Sequence, residues 1–149
     1  MRQAERLRYL VLAAQREGNR ALSQQLVPLG LTPSQAEVLR ILDEHGPLTL
    51  GGLGELLICE SGTNPSRLVD RLVSAGQVTR ETDERDRRQL QLSLTAQGRK
   101  SADAVAVIEN ALYTQIDAAI AGLDLSVTFG LLGALVDGQP SGTALQKRG

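Results

Sequence analysis

Leu7, Leu10, Val11 and Ala14 stand at i, i+3, i+4 and i+7, the spacing of one helix face, and predict a helix from about Glu5 to Leu26. Gly18 weakens its middle by roughly 1 kcal/mol relative to alanine, and Pro28 and Gly30 break it. Thr32-Pro33-Ser34-Gln35 starts a second helix, with Thr32 as N-cap, Pro33 in the first helical position and Gln35 placed to close a capping box. Val38, Leu39, Ile41 and Leu42 carry its apolar face, and Gly46-Pro47 stops it. Thr49 is placed to cap a third helix through Leu50, Leu53, Leu56 and Leu57. Gly51, Gly52 and Gly54 each cost up to about 1 kcal/mol there, so this helix is expected to be loose or bent. The alternative is that Gly54 permits close packing on the helix that follows.

From Arg67 onward Leu68, Leu72 and Val73 recur at helical spacing while Arg67, Asp70, Arg71 and Ser74 take the polar positions. Gly76 ends that helix, because glycine enters the left-handed conformation without a Cβ clash. A short strand, Val78 to Thr82, follows. In the returning strand Leu90, Leu92 and Leu94 alternate with Gln89, Gln91 and Ser93, the period of a half-buried strand. Between the two lies Asp83-Glu84-Arg85-Asp86-Arg87-Arg88, a tip with nothing apolar to bury. Guanidinium groups donate in a fixed fork to phosphate or guanine edges, so arginines on a projecting loop beside a helix carrying two more suit duplex DNA. A helix followed by a basic hairpin is the plan of a winged helix-turn-helix.

Thr95 caps a further helix, Ala96 to about Gly122, with Val105, Ile108, Leu112, Ile116, Ile120 and Leu123 as its stripe. After the Asp124-Leu125-Ser126 break, Val127, Leu131, Leu132 and Leu135 form another. A helix of about 27 residues spans roughly 40 Å, longer than so small a core can cover, and the surplus apolar face needs a partner. The tail from Pro140, with Ser141, Gly142 and Thr143, is expected to fray.

At 149 residues, 42% hydrophobic and 22% charged, the chain has the size and composition of one globular domain. It lacks an apolar run of about 18 residues, and its first residues lack the apolar region of a signal peptide. The expectation is therefore a cytoplasmic protein with no membrane segment. One cysteine, Cys59, excludes an internal disulfide. Two Tyr, one Phe and no Trp disfavour base-stacking platforms for single strands or RNA.

The net charge of −1 hides a segregation. Residues 61–100 carry eight Lys/Arg against five Asp/Glu, and residues 1–30 five Arg against two Glu. Residues 31–60 carry one Arg against five acids, and residues 101–140 five acids and no base. The positive excess lies where the reading helix and wing are expected.

Enzymatic constellations are missing. His45 is the only histidine and sits at a helix end, one His and one Cys make no zinc cluster, and Gly51-Gly52-Leu53-Gly54 follows no strand and lacks a P-loop lysine. No catalytic residue, metal or cofactor is assigned. Cys59 reads as a small buried hydrophobe.

RLVDRLVSAGQVTRETDERDRRQLQLSLTAQGR resembles the recognition helix, wing and following helix start of the multiple-antibiotic-resistance-regulator (MarR) family of bacterial transcription factors. The shared pattern is Arg-Leu-Val-Asp-Arg-Leu, then Gly, then Asp-x-x-Asp-Arg-Arg, then Leu-Thr-x-x-Gly-Arg. The resemblance implies a mainly α fold with a small β-hairpin wing: a single domain over 1–149, with a winged helix-turn-helix at about 32–98 and dimerisation helices at about 5–27 and 99–138. The glycines of the third helix depart from the family, which usually has better helix formers there. Sensors of the family generally place a reactive thiol in the first helix, where this chain has none. If Ser61 caps the recognition helix, as the motif suggests, Pro65 forfeits a backbone bond; if Asn64 does, Pro65 takes the favoured first position. An irregular first turn near Ser61 is preferred.

The resemblance further implies a homodimer on a pseudo-palindromic operator, acting as a ligand-responsive repressor. Arg67 and Ser66 would reach base edges in the major groove, with Thr63 and Asn64 nearby and Ser61 at the same DNA-facing end, and Arg71 would touch phosphate or pair within its helix. Arg88 would enter the minor groove, and Arg85 and Arg87 would touch phosphate or pair with Asp83 or Asp86. Members often bind small phenolic or other aromatic anions between the dimerisation helices and the winged core, where Arg16, Arg20 and His45 are the candidate residues here. The competing expectation is a winged-helix protein-interaction module without DNA binding.

Overall fold

The computed structural model describes residues 1–59 and 65–149. α1 runs Gln3–Leu26, and a 3-10 turn, Val27–Leu29, carries Pro28 and ends at Gly30 with φ 65°. α2 is Pro33–His45. Its capping box forms as expected: the Gln35 N–H donates to Thr32 Oγ1 at 3.3 Å and the Thr32 N–H to Gln35 Oε1 at 3.0 Å. Gly46, at φ 74°, ends it.

β1, Leu48–Thr49, was not expected. Two residues are too short for alternation to reveal, and the strand exists because Leu48 and Thr49 pair antiparallel with Leu92 and Gln91. The wing is thus part of a three-stranded sheet of order β1-β3-β2, with β2 Val78–Thr82 and β3 Leu90–Leu94 where the alternation puts them. Val78 pairs with Leu94 and Thr82 with Leu90. Val78 and Leu92 are buried, whereas Leu90 runs past the core and is 53% exposed.

α3 is only Leu50–Gly54, shorter than the stripe through Leu57 implies. Three glycines in five residues lose helix stability that one cap, Gly52 N–H to Thr49 Oγ1 at 3.0 Å, does not restore. A Cβ at Gly54 would meet Pro65 at 3.6 Å, an ordinary contact, so packing does not require glycine there. α4 is Ser66–Ser74, and its most buried side chains are Val69 and Leu72, with Leu68 and Val73 partly covered. The Val69 N–H donates to the Pro65 carbonyl. Pro65 is the N-cap and Ser66 the first helical residue, so Pro65 takes neither the fourth nor the first helical position; Ser61 and Asn64 lie outside the described residues. Gly76, at φ 72°, closes the helix.

α5, Ala96–Ile120, is capped by Thr95, whose Oγ1 accepts from the Gly98 N–H at 2.9 Å. Gly98 lies against the α4–β2 turn so closely that a Cβ would sit 2.0 Å from the Gln77 carbonyl oxygen. Burial in α5 ends at Val105. Farther along, Tyr113 and Ile116 are exposed, as are Tyr9 and Leu10 of α1 and Val127, Phe129 and Leu135 of α6, Ser126–Val136.

The tail does not fray. Pro140–Arg148 forms α7, with proline in the first turn and Lys147 and Arg148 at the C-terminal end, where cations suit the helix dipole. It folds back on its own chain, Lys147 pairing with Glu55 and Arg148 with Glu37.

Candidate nucleic-acid interface

α4 buries Val69 and Leu72, which leaves Arg67, Asp70 and Arg71 exposed. Asp70 pairs with Arg80 in the middle of β2. Its carboxylate is therefore engaged across to the wing and not with Arg71 along the helix. Arg67 and Arg71 make no ion pair among the described residues. Ser66 opens the helix and is half-buried; Ser61, Thr63 and Asn64 lie outside the described residues.

The acids of the wing tip build the turn. Asp83 Oδ1 accepts the Arg85 N–H at 2.9 Å, Asp83 Oδ2 accepts Gln91 Nε2 at 3.0 Å, and Asp86 Oδ1 accepts the Arg88 N–H at 3.0 Å. The bonds to the Arg85 and Arg88 N–H groups are aspartate turns, in which a side chain fixes the backbone two residues on. Of the two alternatives for Arg85 and Arg87, phosphate contact or pairing with Asp83 or Asp86, the pairing does not form among the described residues. Arg85, Arg87 and Arg88 are exposed and without ion pairs among the described residues. The result is a fixed scaffold presenting three guanidinium groups to solvent, beside a helix presenting two.

One buried charge is not singled out by the sequence pattern. Glu37 on α2 is 7% exposed, and its carboxylate accepts the Ile58 and Cys59 N–H groups and the Arg148 guanidinium. The available signal was a charge at position i of a stripe whose i+4 member is Ile41. Cys59, expected to be buried, is exposed, because it occupies a turn held by its backbone.

Arg40 ties α2 to α5. Its Nε donates to Glu109 at 3.1 Å, and Nη1 and Nη2 reach Asp43 at 3.1 Å and Glu44 at 2.7 Å. Burial opposes its charge, but the Glu109 hydrogen bond and the three carboxylates outweigh it and raise the Arg40 pKa. Burial, reinforced by Glu109, pushes the nearby Tyr113 phenol up.

Arg16 and Arg20 are exposed on α1, Arg20 at 3.7 Å from Glu17, and His45 is exposed at the end of α2. Among the described residues no hydrogen bond or ion pair joins these three. Among the described residues, too, no helix is long and apolar enough to cross a membrane.

Comparison with known proteins agrees with this geometry. A family model described as the MarR family matches residues 31–90. The chain is 45% identical over 62 residues to an HTH-type transcriptional regulator of Bacillus subtilis, YcgE, covering 42% of this chain and 40% of that one. It is 34% identical over 98 residues to the organic hydroperoxide resistance transcriptional regulator of the same species, covering 66% of each. The matches thus span less than two thirds of these relatives' lengths. The structure of reduced AbfR bound to DNA superposes with a TM-score of 0.65 at 29% identity, covering 89% of both chains. These relatives are regulators and not enzymes, and with the helix order, the wing and the arginine pattern they establish that this chain belongs to the MarR family of winged-helix transcriptional regulators.

Proposed function

We propose that the chain binds double-stranded DNA sequence-specifically as a homodimer, one recognition helix and one wing reading each half of a pseudo-palindromic operator, and represses transcription until a ligand releases it. The observation that carries this reading is the pair of adjoining arginine sets, Arg67 with Arg71 on α4 and Arg85, Arg87 and Arg88 on the wing, both exposed and free of ion pairs among the described residues. In the AbfR neighbour a chain of this fold is bound to DNA. Ser66 and Arg67 are assigned to base edges, with Ser61, Thr63 and Asn64 beside them at the DNA-facing end, Arg88 to the minor groove, and Arg71, Arg85 and Arg87 to phosphate.

The winged unit is taken as about 32–98, and residues of about 5–27 and 99–138 as the dimerisation helices. The apolar side chains left exposed on α1, α5 and α6 support this, since patches of that kind mark association surfaces. Two recognition helices in successive major grooves stand roughly 34 Å apart. A small aromatic or phenolic anion near Arg16, Arg20 and His45 would act by binding more tightly to a dimer of mismatched spacing. Such a regulator works in the cytoplasm.

The test is selection from a pool of genomic duplex fragments, comparing wild type with a variant lacking Arg87 and Arg88. Enrichment of a palindrome that weakens in the variant is expected. No enrichment at low salt would overturn DNA binding in favour of a protein-interaction module.

A further inference from the structure

The turn that leads toward α4 is held by a side chain from α2. Glu37 Oε1 accepts the Ile58 N–H at 2.9 Å and Oε2 accepts the Cys59 N–H at 2.8 Å. A buried carboxylate is costly unless paired and hydrogen-bonded. The counter-charge comes from the opposite end of the chain, Arg148 Nη1 donating to Glu37 Oε1 at 2.7 Å, and the two side chains are 25% and 6% exposed. Lys147 pairs with Glu55, the C-cap of α3 three residues before Ile58, so α7 also grips the end of the helix that precedes this turn. α7 is itself seated tightly on α6: a Cβ at Gly142 would lie 2.1 Å from the Val136 carbonyl oxygen, and Ala144 is buried.

We propose that Glu37 and Arg148 are positioning residues for the recognition helix, their ion pair coupling the seat of α7 to the turn that delivers α4. Withdrawing Arg148 leaves a buried charge without its counter-ion, the costly half of a broken buried pair. Water must then enter, and the Ile58–Cys59 turn opens to admit it. Because α6 carries α7, any shift of the exposed α6 face on assembly reaches Arg148 and through it the reading head. The effect on DNA affinity rests on the DNA-binding reading above; the effect on the turn does not.

The experiment uses the full chain as wild type, Arg148→Met, Arg148→Lys, Glu37→Gln and the Glu37→Gln/Arg148→Met double variant, with Arg67→Ala for comparison. Amide hydrogen exchange at Ile58 and Cys59 is followed by NMR, and binding to an enriched duplex is measured across salt concentrations. Arg148→Met is expected to speed exchange at both amides by about tenfold. It should also weaken binding by about tenfold with no change in the salt slope, because no phosphate contact is lost. Arg148→Lys restores most of both, and in the Glu37→Gln background Arg148→Met adds nothing further. Unchanged exchange at Ile58 and Cys59 in Arg148→Met overturns the coupling, and a salt slope lower by about one makes Arg148 a phosphate contact instead. If wild type binds no duplex while Arg148→Met still speeds exchange, the DNA-binding reading fails and the coupling stands.

Discussion

Asp70, on the exposed face of α4, pairs with Arg80 in the middle of β2, so the helix and the first wing strand are joined by charge as well as by sheet packing. The two side chains are 53% and 35% exposed, and a pair that open to water contributes only about 0–1 kcal/mol. Its value lies in orientation. It also removes the one acid of α4 from competition for Arg67 and Arg71.

Asp70→Asn should therefore leave stability within about 0.5 kcal/mol in a urea melt. It should still lower the ratio of affinity for an enriched duplex over a random one. Comparing the two duplexes cancels the general gain from losing an acid near phosphate. An unchanged ratio would make the pair incidental.

Arg67→Ala should cost about 1–3 kcal/mol on the enriched site if the guanidinium reads a base edge. Arg87→Ala should instead weaken all sequences alike and reduce the salt slope by about one. Anisotropy titrations at several salt concentrations separate the two patterns, and a uniform loss for Arg67→Ala would reassign it to phosphate.

Gly98→Ala should destabilise the fold by about 1–3 kcal/mol or more, because the new methyl meets backbone that cannot swing aside. The obstacle is the Gln77 carbonyl oxygen at 2.0 Å. Gly18→Ala, with nothing within 4 Å of the added carbon, should stabilise by roughly 0.5–1 kcal/mol. Opposite shifts of the urea midpoint are the expected pair of results, and equal shifts would refute the close approach at Gly98.

The Glu55 carboxyl is held below its ordinary value of 4.5, first by the hydrogen bond from Lys147 and then by its charge. A carboxylate with a depressed folded pKa adds stability above its unfolded pKa and loses it as pH falls through the folded value. The contribution of the Lys147–Glu55 pair to seating α7 should thus be lost as pH falls below about 4.5. In an NMR titration the Glu55 midpoint should rise in Lys147→Ala. No rise would mean that the pair does not persist in solution.

Much of the fold is legible in local chemistry. The Thr32 and Thr95 caps and the Gly76 stop depend on residues within a turn of one another, the two long wing strands pair with a near neighbour across one hairpin, and each forms where its residues lie. The features that escaped depend on distant partners. β1 needs Leu92 and Gln91, and α7 is held by Glu37 and Glu55, about 90 to 110 residues away. Glu37 is the instructive case: a lone acid on an apolar face is uninformative until Ile58, Cys59 and Arg148 are brought to it. The wing arginines are legible as a charged tip between two strands, but the use of Asp83 and Asp86 as turn builders is a matter of geometry.

α5 is a 25-residue helix whose core contacts end near Ile108, and Arg40 grips it at Glu109. The dozen residues beyond form a lever about 18 Å long, with the Arg40–Glu109 contact as its fulcrum. A tilt of about 10° there moves the tip by about 3 Å, of the order by which packed helices slide in switching proteins. In the dimer proposed above, the long helix would work as a gear, turning a small rotation of each winged head into a larger displacement at the far end, and the reverse.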